Sequence, residues 1–320
     1  MQKLILNCDT GIDDAFALAY AAGQQTMELI GVVASYGMSY VGNTYRNSKH
    51  ILRMLGCNAP VFAGSEKPLE QPLRNYLEAE SLFHGGDGVA NLLGQYTQQD
   101  VETVKKDEGI DFIIESTQKY GKDLTLVTTG PLTDLAQVLQ KAPWVKDKIG
   151  SVVSMVGALA APGNATAFAE ANAILDVEAT KFVLESDLPL TVVGLDITRK
   201  TLFGNKDLAR WEEIKTQSSD FFVGCAKHYL NAYRIKHSYL PGCGLHDPLA
   251  VGVALHPDWI QAIPIHLTCE IEGEAKGRTC ESLALSSNNT PARTQGALRV
   301  DAKAFEQEFF TTVEGLLKTH

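Results

Sequence analysis

Asn7-Cys8-Asp9-Thr10-Gly11-Ile12-Asp13-Asp14-Ala15 decides how the rest of the chain is read. The apolar run Leu4-Ile5-Leu6 leads into it, and the alanine-rich stretch Ala15-Phe16-Ala17-Leu18-Ala19-Tyr20-Ala21-Ala22-Gly23 leads out. This pattern predicts a strand, a tight glycine loop and a helix. Asp9 falls at the carboxyl end of the strand. Asp13 and Asp14 fall in the first helical turn, where the helix dipole tolerates carboxylates and where either alone could be an ordinary cap. Three acids within six positions repel one another, which calls for a positive charge among them. A hard cation such as Ca²⁺ or Mg²⁺ takes oxygen ligands of this kind. Open α/β sheets also bind their ligands at the carboxyl ends of strands.

Outward from this stretch, apolar runs alternate with helical patterns. Strands are predicted over 3–8, 29–35, 60–63, 124–128, 151–156 and 190–195, with helices near 14–23, 41–55, 110–120, 132–141 and 177–186. Residues 207–234 read as one or two helices, and a helix restarts at Asp247-Pro248, because Pro suits a first helical turn. Strands over 265–272 and 297–300 and a helix over 303–318 complete the pattern. The expected fold class is α/β: an open, mostly parallel central sheet flanked by helices, with a few antiparallel strands near the C-terminus. With no internal repeat and no linker, residues 1–320 are expected to form a single domain.

Bulk properties narrow the function. A net charge of −10 over 320 residues argues against a nucleic-acid surface and against anionic membranes. No apolar run approaches the roughly 18 residues of a membrane span. Met1-Gln2-Lys3 runs straight into a strand, so no signal peptide is expected. The six cysteines are scattered without a C-x-x-C pair, which suits free thiols in a cytoplasmic protein.

Four stretches concentrate functional residue types: the aspartate loop; Thr128-Thr129-Gly130-Pro131-Leu132-Thr133-Asp134; Gly163-Asn164 through Ala169-Glu170-Ala171-Asn172; and Leu245-His246-Asp247-Pro248. Each alone has a plain structural explanation. Thr129-Gly130-Pro131 is a common strand-to-helix turn, and Asn164, Glu170 and Asn172 could bond their own backbone. Asp247 could be an N-cap.

Together they resemble the nucleoside hydrolases, enzymes that cleave the N-glycosidic bond of ribonucleosides, specifically the calcium-dependent inosine-uridine preferring type. The aspartate loop is similar to the family's D-x-D-P-G-x-D-D signature. Asp176-Val177-Glu178-Ala179, Thr44-Tyr45-Arg46-Asn47, Gly37 and His84-Gly85 also fall where the family has matching residues. The resemblance implies that Asp9, Asp14, the Thr129 carbonyl and Asp247 hold one Ca²⁺. Asp13, Asn164, Glu170 and Asn172 would grip the ribose hydroxyls. Asp9 would take the proton of a Ca²⁺-bound water that attacks C1′, through an oxocarbenium-like state. His246 would protonate the departing base, its ordinary pKa near 6.5 suiting that task, and His84 would lie near the base. Base contacts are expected from 226–239, with Tyr233 and Arg234 foremost, and retention of His246 leans towards non-specific or pyrimidine-preferring members. The family's habit implies a homo-oligomer, dimer or tetramer, with a nucleoside as the small-molecule partner and a place in purine and pyrimidine salvage.

Asn7 stands where the signature has Asp, and Thr10 where it has Pro. Met38 stands where the family has Asn, and a thioether cannot hydrogen-bond as an amide does. Ala171 replaces a larger apolar residue. A phosphatase with a D-x-D-x-T loop is disfavoured by Asn7. A Ca²⁺-dependent nucleoside- or ribose-binding protein with weak or lost turnover is the alternative that Met38 keeps open.

Overall fold

In the computed structural model β1 (Gln2–Cys8) is covered on both faces: Leu4, Ile5 and Leu6 follow one another and all are fully buried. The model describes residues 1–72, 81–94, 108–287 and 290–320. The other strands are β2 (Met27–Ala34), β3 (Val61–Ala63), β4 (Leu124–Thr128), β5 (Ser151–Ser154), β6 (Leu190–Val192), β7 (Leu202–Phe203), β8 (Cys243–Gly244), β9 (Ile260–Pro264), β10 (Leu267–Cys269), β11 (Thr279–Glu281) and β12 (Gln295–Val300). Eight of them form one sheet in the order β3-β2-β1-β4-β5-β6-β12-β9. Every pairing in it is parallel except β12 with β9. The expected class therefore holds, with β9, the pair β10–β11 and the pair β7–β8 supplying the antiparallel part.

Helices cover both faces. They are α1 (Ile12–Ala22), α2 (Val41–Met54), α3 (Ser81–His84), α4 (Glu108–Tyr120), α5 (Thr133–Lys141), α6 (Val145–Lys148), α7 (Ala171–Leu175), α8 (Val177–Leu184), α9 (Leu195–Thr198), α10 (Asn205–Glu212), α11 (Gln217–Lys236), α12 (His246–Leu255), α13 (Leu283–Ser286) and α14 (Ala302–Leu317). Two apolar clusters follow from the strand alternation. Leu4 and Leu6 point into one, with Phe16, Trp211, Phe222 and Phe305, while Ile5 points into the other with Val33, Leu126, Leu135 and Val183.

Two predicted elements are corrected. The strand expected over 190–195 stops at Val192, because the Leu195 N–H turns to the Gly157 carbonyl (2.9 Å) and opens α9. The strand expected over 265–272 is shorter, reduced to β10 over Leu267–Cys269 paired with β11, while β9, which ends at Pro264 just before that stretch, was not expected.

The carboxyl ends of β1, β4 and β5, together with α9 beyond β6, lie along one rim of the sheet. That rim carries the residues described next.

Candidate functional site

β1 delivers its last side chains to alternate faces. Asn7 turns into the sheet, where its amide donates to the Val33 carbonyl (3.1 Å) and to Asp134 Oδ2 (2.7 Å). Asp9 turns into a cavity of about 480 Å³. The Met38 N–H donates to Asp9 Oδ2 at 2.7 Å, so position 38 holds Asp9 through its backbone, whatever its side chain. A Cβ at Gly37 would overlap the Asp9 carboxylate, which is why the chain has glycine there.

The loop into α1 is tied from behind by α2. Asn47 Nδ2 donates to the Thr10 carbonyl (3.3 Å) and Thr10 Oγ1 meets Ser48 Oγ (2.6 Å). Asp14 caps α1 by accepting from the Gly11 N–H (2.9 Å), and its other oxygen accepts from Thr129 Oγ1 (2.7 Å). It is at once an ordinary cap and a wall of the cavity. Asp247, in the first turn of α12, closes the opposite side.

Asp13, Asp14 and Asp247 each offer an oxygen within 4.8 Å of the others. Asp9 and Asp14 act on each other's titration, as do Asp13 and Asp247. All four are buried, and among the described residues no lysine or arginine pairs with any of them. Burial, reinforced for Asp9, Asp13 and Asp247 by neighbouring carboxylates, raises their pKa values, Asp13 to about 7 and Asp9 and Asp247 well above the carboxylate range. Burial raises Asp14 as well. Four desolvated carboxylates with no cationic partner are a donor set suited to a hard divalent cation. Asp13, expected at the ribose, stands with Asp14 and Asp247 in the cluster.

The ribose-type residues come from the segment after β5. Glu170, at the N-cap of α7, spends its carboxylate on the N–H groups of Gly157, Asn172 and Ala173 (2.8–3.1 Å). Asn172 Nδ2 donates to the carbonyls of Thr129 (2.7 Å) and Met155 (3.0 Å). Both line the cavity while also holding its frame. Asn164 accepts from the Ala171 N–H through Oδ1 (2.9 Å) and keeps Nδ2 for the cavity.

Two histidines face each other across the aromatic side. His84 Nδ1 accepts from the Ile12 N–H (3.0 Å), which leaves its proton on Nε2, and it stands 4.0 Å from Asp13. His246 Nδ1 meets Thr198 Oγ1 at 2.7 Å and Nε2 meets the Tyr233 hydroxyl at 2.6 Å. Burial lowers both to about 3, with His228 adding to the effect on His84 and Arg199 to that on His246. The ordinary pKa expected of His246 is therefore corrected: the ring is neutral at pH 7.

Tyr233 lines the cavity as expected, whereas Arg234 does not. One residue further on the helix it turns about 100° away and bonds Asn231 on the exposed side (2.7 Å). Tyr229, one turn before Tyr233, takes the place assigned to Arg234 and donates to Asp13 Oδ2 (3.2 Å). Its i, i+4 spacing with Tyr233 was the available signal. Phe83 and His237 complete the aromatic wall. Thr198 had no signal at all, since only the tertiary fold brings α9 beside His246.

Comparisons with known proteins place the whole chain in one family. The sequence profile of the family described as inosine-uridine preferring nucleoside hydrolase matches residues 4–307. The pyrimidine-specific ribonucleoside hydrolase RihB of Escherichia coli O17:K52:H18 is 30% identical over 322 residues, covering 100% of this chain and 99% of its own. A solved purine-preferring ribonucleoside hydrolase from Gardnerella vaginalis superposes with a TM-score of 0.93 at 36% identity, covering 100% of both chains. The inosine-uridine preferring nucleoside hydrolase of Bacillus anthracis, 22% identical with a TM-score of 0.75 over 100% of both chains, shares the fold. The chain belongs to the family of inosine-uridine preferring nucleoside hydrolases.

Proposed function

We propose that this protein hydrolyses the N-glycosidic bond of ribonucleosides to ribose and free base, with Asp9 as general base and His246 at the leaving group. The observation that carries the reading is the convergence of four buried, cation-free aspartates with two neutral histidines on one sheet rim. Asp9, Asp14, the Thr129 carbonyl and Asp247 would hold Ca²⁺, with Asp13 beside them. When bound, that ion supplies a charge that lowers the pKa of water and orients ribose hydroxyls.

The chain's own residues do the rest. Asp9, oriented by the Met38 N–H, accepts a proton from the attacking water as its oxygen bonds to C1′ and the C1′–N bond breaks. The carboxylates below the ring stabilise the oxocarbenium charge as it develops. Asn164 Nδ2 and Asn172 Oδ1 are turned to ribose hydroxyls together with Asp13, which also accepts from the Tyr229 hydroxyl, and Glu170 fixes their frame. His246 and the Tyr233 hydroxyl, 2.6 Å apart, form a hydrogen-bonded pair able to pass one proton to the departing base nitrogen. His84 Nε2 offers a second donor on the same side. The six free cysteines are in keeping with a cytoplasmic enzyme.

The test is release of reducing sugar and free base from a panel of purine and pyrimidine nucleosides with Ca²⁺. Release by the wild type that falls by about three orders of magnitude or more in Asp9→Ala, with the melting temperature kept, supports the reading. Nucleoside binding without release from any substrate would instead favour a Ca²⁺-dependent binding protein.

A further inference from the structure

The loop that carries Asn164 has an unusual attachment. Residues 163–169 are tied mainly to one another: the Gly163 N–H donates to the Ala167 carbonyl, and the N–H groups of Asn164, Ala165 and Thr166 all converge on the Ala169 carbonyl (3.1–3.3 Å). Thr166 Oγ1 accepts from the N–H groups of Phe168 and Ala169. Gly163 has no room for a side chain, since a Cβ there would run into the Thr166 and Ala169 backbone. The result is a compact knot whose residues 164–168 are exposed, with Asn164 and Ala165 lining the cavity.

Beside the Ala171 N–H on Asn164 Oδ1 (2.9 Å) and Arg278 over the Phe168 ring (6.0 Å), what fixes the segment leading into the knot is α9 and the residue after it. Asp196 accepts from three successive N–H groups, Leu159 (2.8 Å), Ala160 (2.7 Å) and Ala161 (3.0 Å). Arg199 follows with its guanidinium fork, donating to the carbonyls of Pro162 and Gly163 at 2.8 Å each. Every residue from 159 to 163 is thus held by one of two side chains, and the last of these contacts is on the peptide that enters Asn164. A guanidinium is suited to this because its N–H groups have fixed mutual geometry, which an ammonium lacks.

We infer that Asp196 and Arg199 are positioning residues for substrate binding: they clamp the 159–163 segment so that Asn164 presents Nδ2 to the nucleoside. This rests on the reading of Asn164 as a substrate contact. Because the clamp touches neither the aspartates nor the reacting atoms, its loss acts on affinity rather than on the chemical step. Arg199 also places positive charge near His246, so the informative variant is Arg199→Lys, which keeps the charge and loses the fork.

Steady-state kinetics of Arg199→Lys, Asp196→Asn, Asn164→Ala and the double variant Arg199→Lys/Asn164→Ala decide the matter, with melting temperatures measured alongside. Arg199→Lys and Asp196→Asn are expected to raise KM about tenfold with kcat within about twofold of wild type. Asn164→Ala raises KM by a similar factor, and the double variant is no worse than Asn164→Ala alone. If Asn164→Ala leaves KM unchanged, the reading of Asn164 fails and the inference with it. If Asn164→Ala raises KM but the effects multiply in the double variant, the inference alone is overturned. A lower melting temperature with unchanged KM in both clamp variants, the mark of a purely structural role, overturns it too.

Discussion

At the scale of single residues, the chain separates what a side chain contributes from what its backbone contributes. Met38 holds Asp9 by its N–H, so replacing the thioether leaves the proposed general base oriented. Met38→Asn restores hydrogen-bonding capacity at the wall without touching that contact. It is expected to raise kcat/KM on common ribonucleosides several-fold, about what one added hydrogen bond supplies; an unchanged value would show that only the backbone matters at this position. His246 makes the opposite case, since on the proposed function its ring itself acts on the leaving group. His246→Ala should cost about two orders of magnitude or more on nucleosides with poor leaving groups and little on an activated aryl riboside. Equal losses on both would refute a leaving-group role. Asp9, Asp13, Asp14, His246 and Asp247 were legible from the sequence because their spacing carries a signature. Arg234 was misjudged because aromatic and basic residues are interleaved in 226–239, and helical phase alone selects Tyr229 and Tyr233.

At the scale of elements, the same residues that face the cavity also terminate helices. Asp14 closes a capping interaction on α1, and Glu170 caps α7 while bonding Gly157 beyond β5. Cap and site coincide because exposed helix N–H groups and bound hydroxyls both need a carboxylate or amide. Glu170→Ala should therefore lower stability by about 1–3 kcal/mol through the lost cap, read as a fall in melting temperature, and also reduce activity. Lost activity with an unchanged melting temperature would mean that the carboxylate serves substrate alone. The sequence marked strands β1 and β4 closely, since each has a short apolar centre with β-forming residues, Leu4-Ile5-Leu6 and Leu124-Thr125-Leu126-Val127, that runs into a glycine turn. It missed α9 and the β7–β8 pair. A helix of one turn has no amphipathic period to detect, and two-residue strands joined across forty residues leave no local pattern.

At the scale of the whole molecule, the acidic cluster is a stored electrostatic cost. The folded-state pKa values of Asp9, Asp13, Asp14 and Asp247 lie above their ordinary ones, so these groups favour the fold while protonated. That contribution is complete below about pH 4 and is lost as pH rises through about 7, the value of Asp13. Thermal melts in a chelator should show falling stability from pH 5 to pH 8, and saturating Ca²⁺ should remove most of the fall, by about 2.7 kcal/mol at a hundred times its Kd. Equal melting temperatures at both pH values, or no response to Ca²⁺, would contradict a cation site. The class of fold was readable from strand–helix alternation, whereas the strand order that decides which ends meet at the rim was not, and the meeting of Asp9, Asp14, Thr129 and Asp247 was expected from the family resemblance instead.

Asp9 ends β1 and Asp247 begins α12, and the cluster closes only when α12 packs beside α1. On the ribosome, β1 and α1 emerge carrying three acids long before the fourth is synthesised. The aspartate loop must therefore persist as an unfinished, self-repelling segment through most of synthesis. On the proposed function, cation capture is then a late lock, closed to any nascent chain that has not yet made α12 and packed it beside α1.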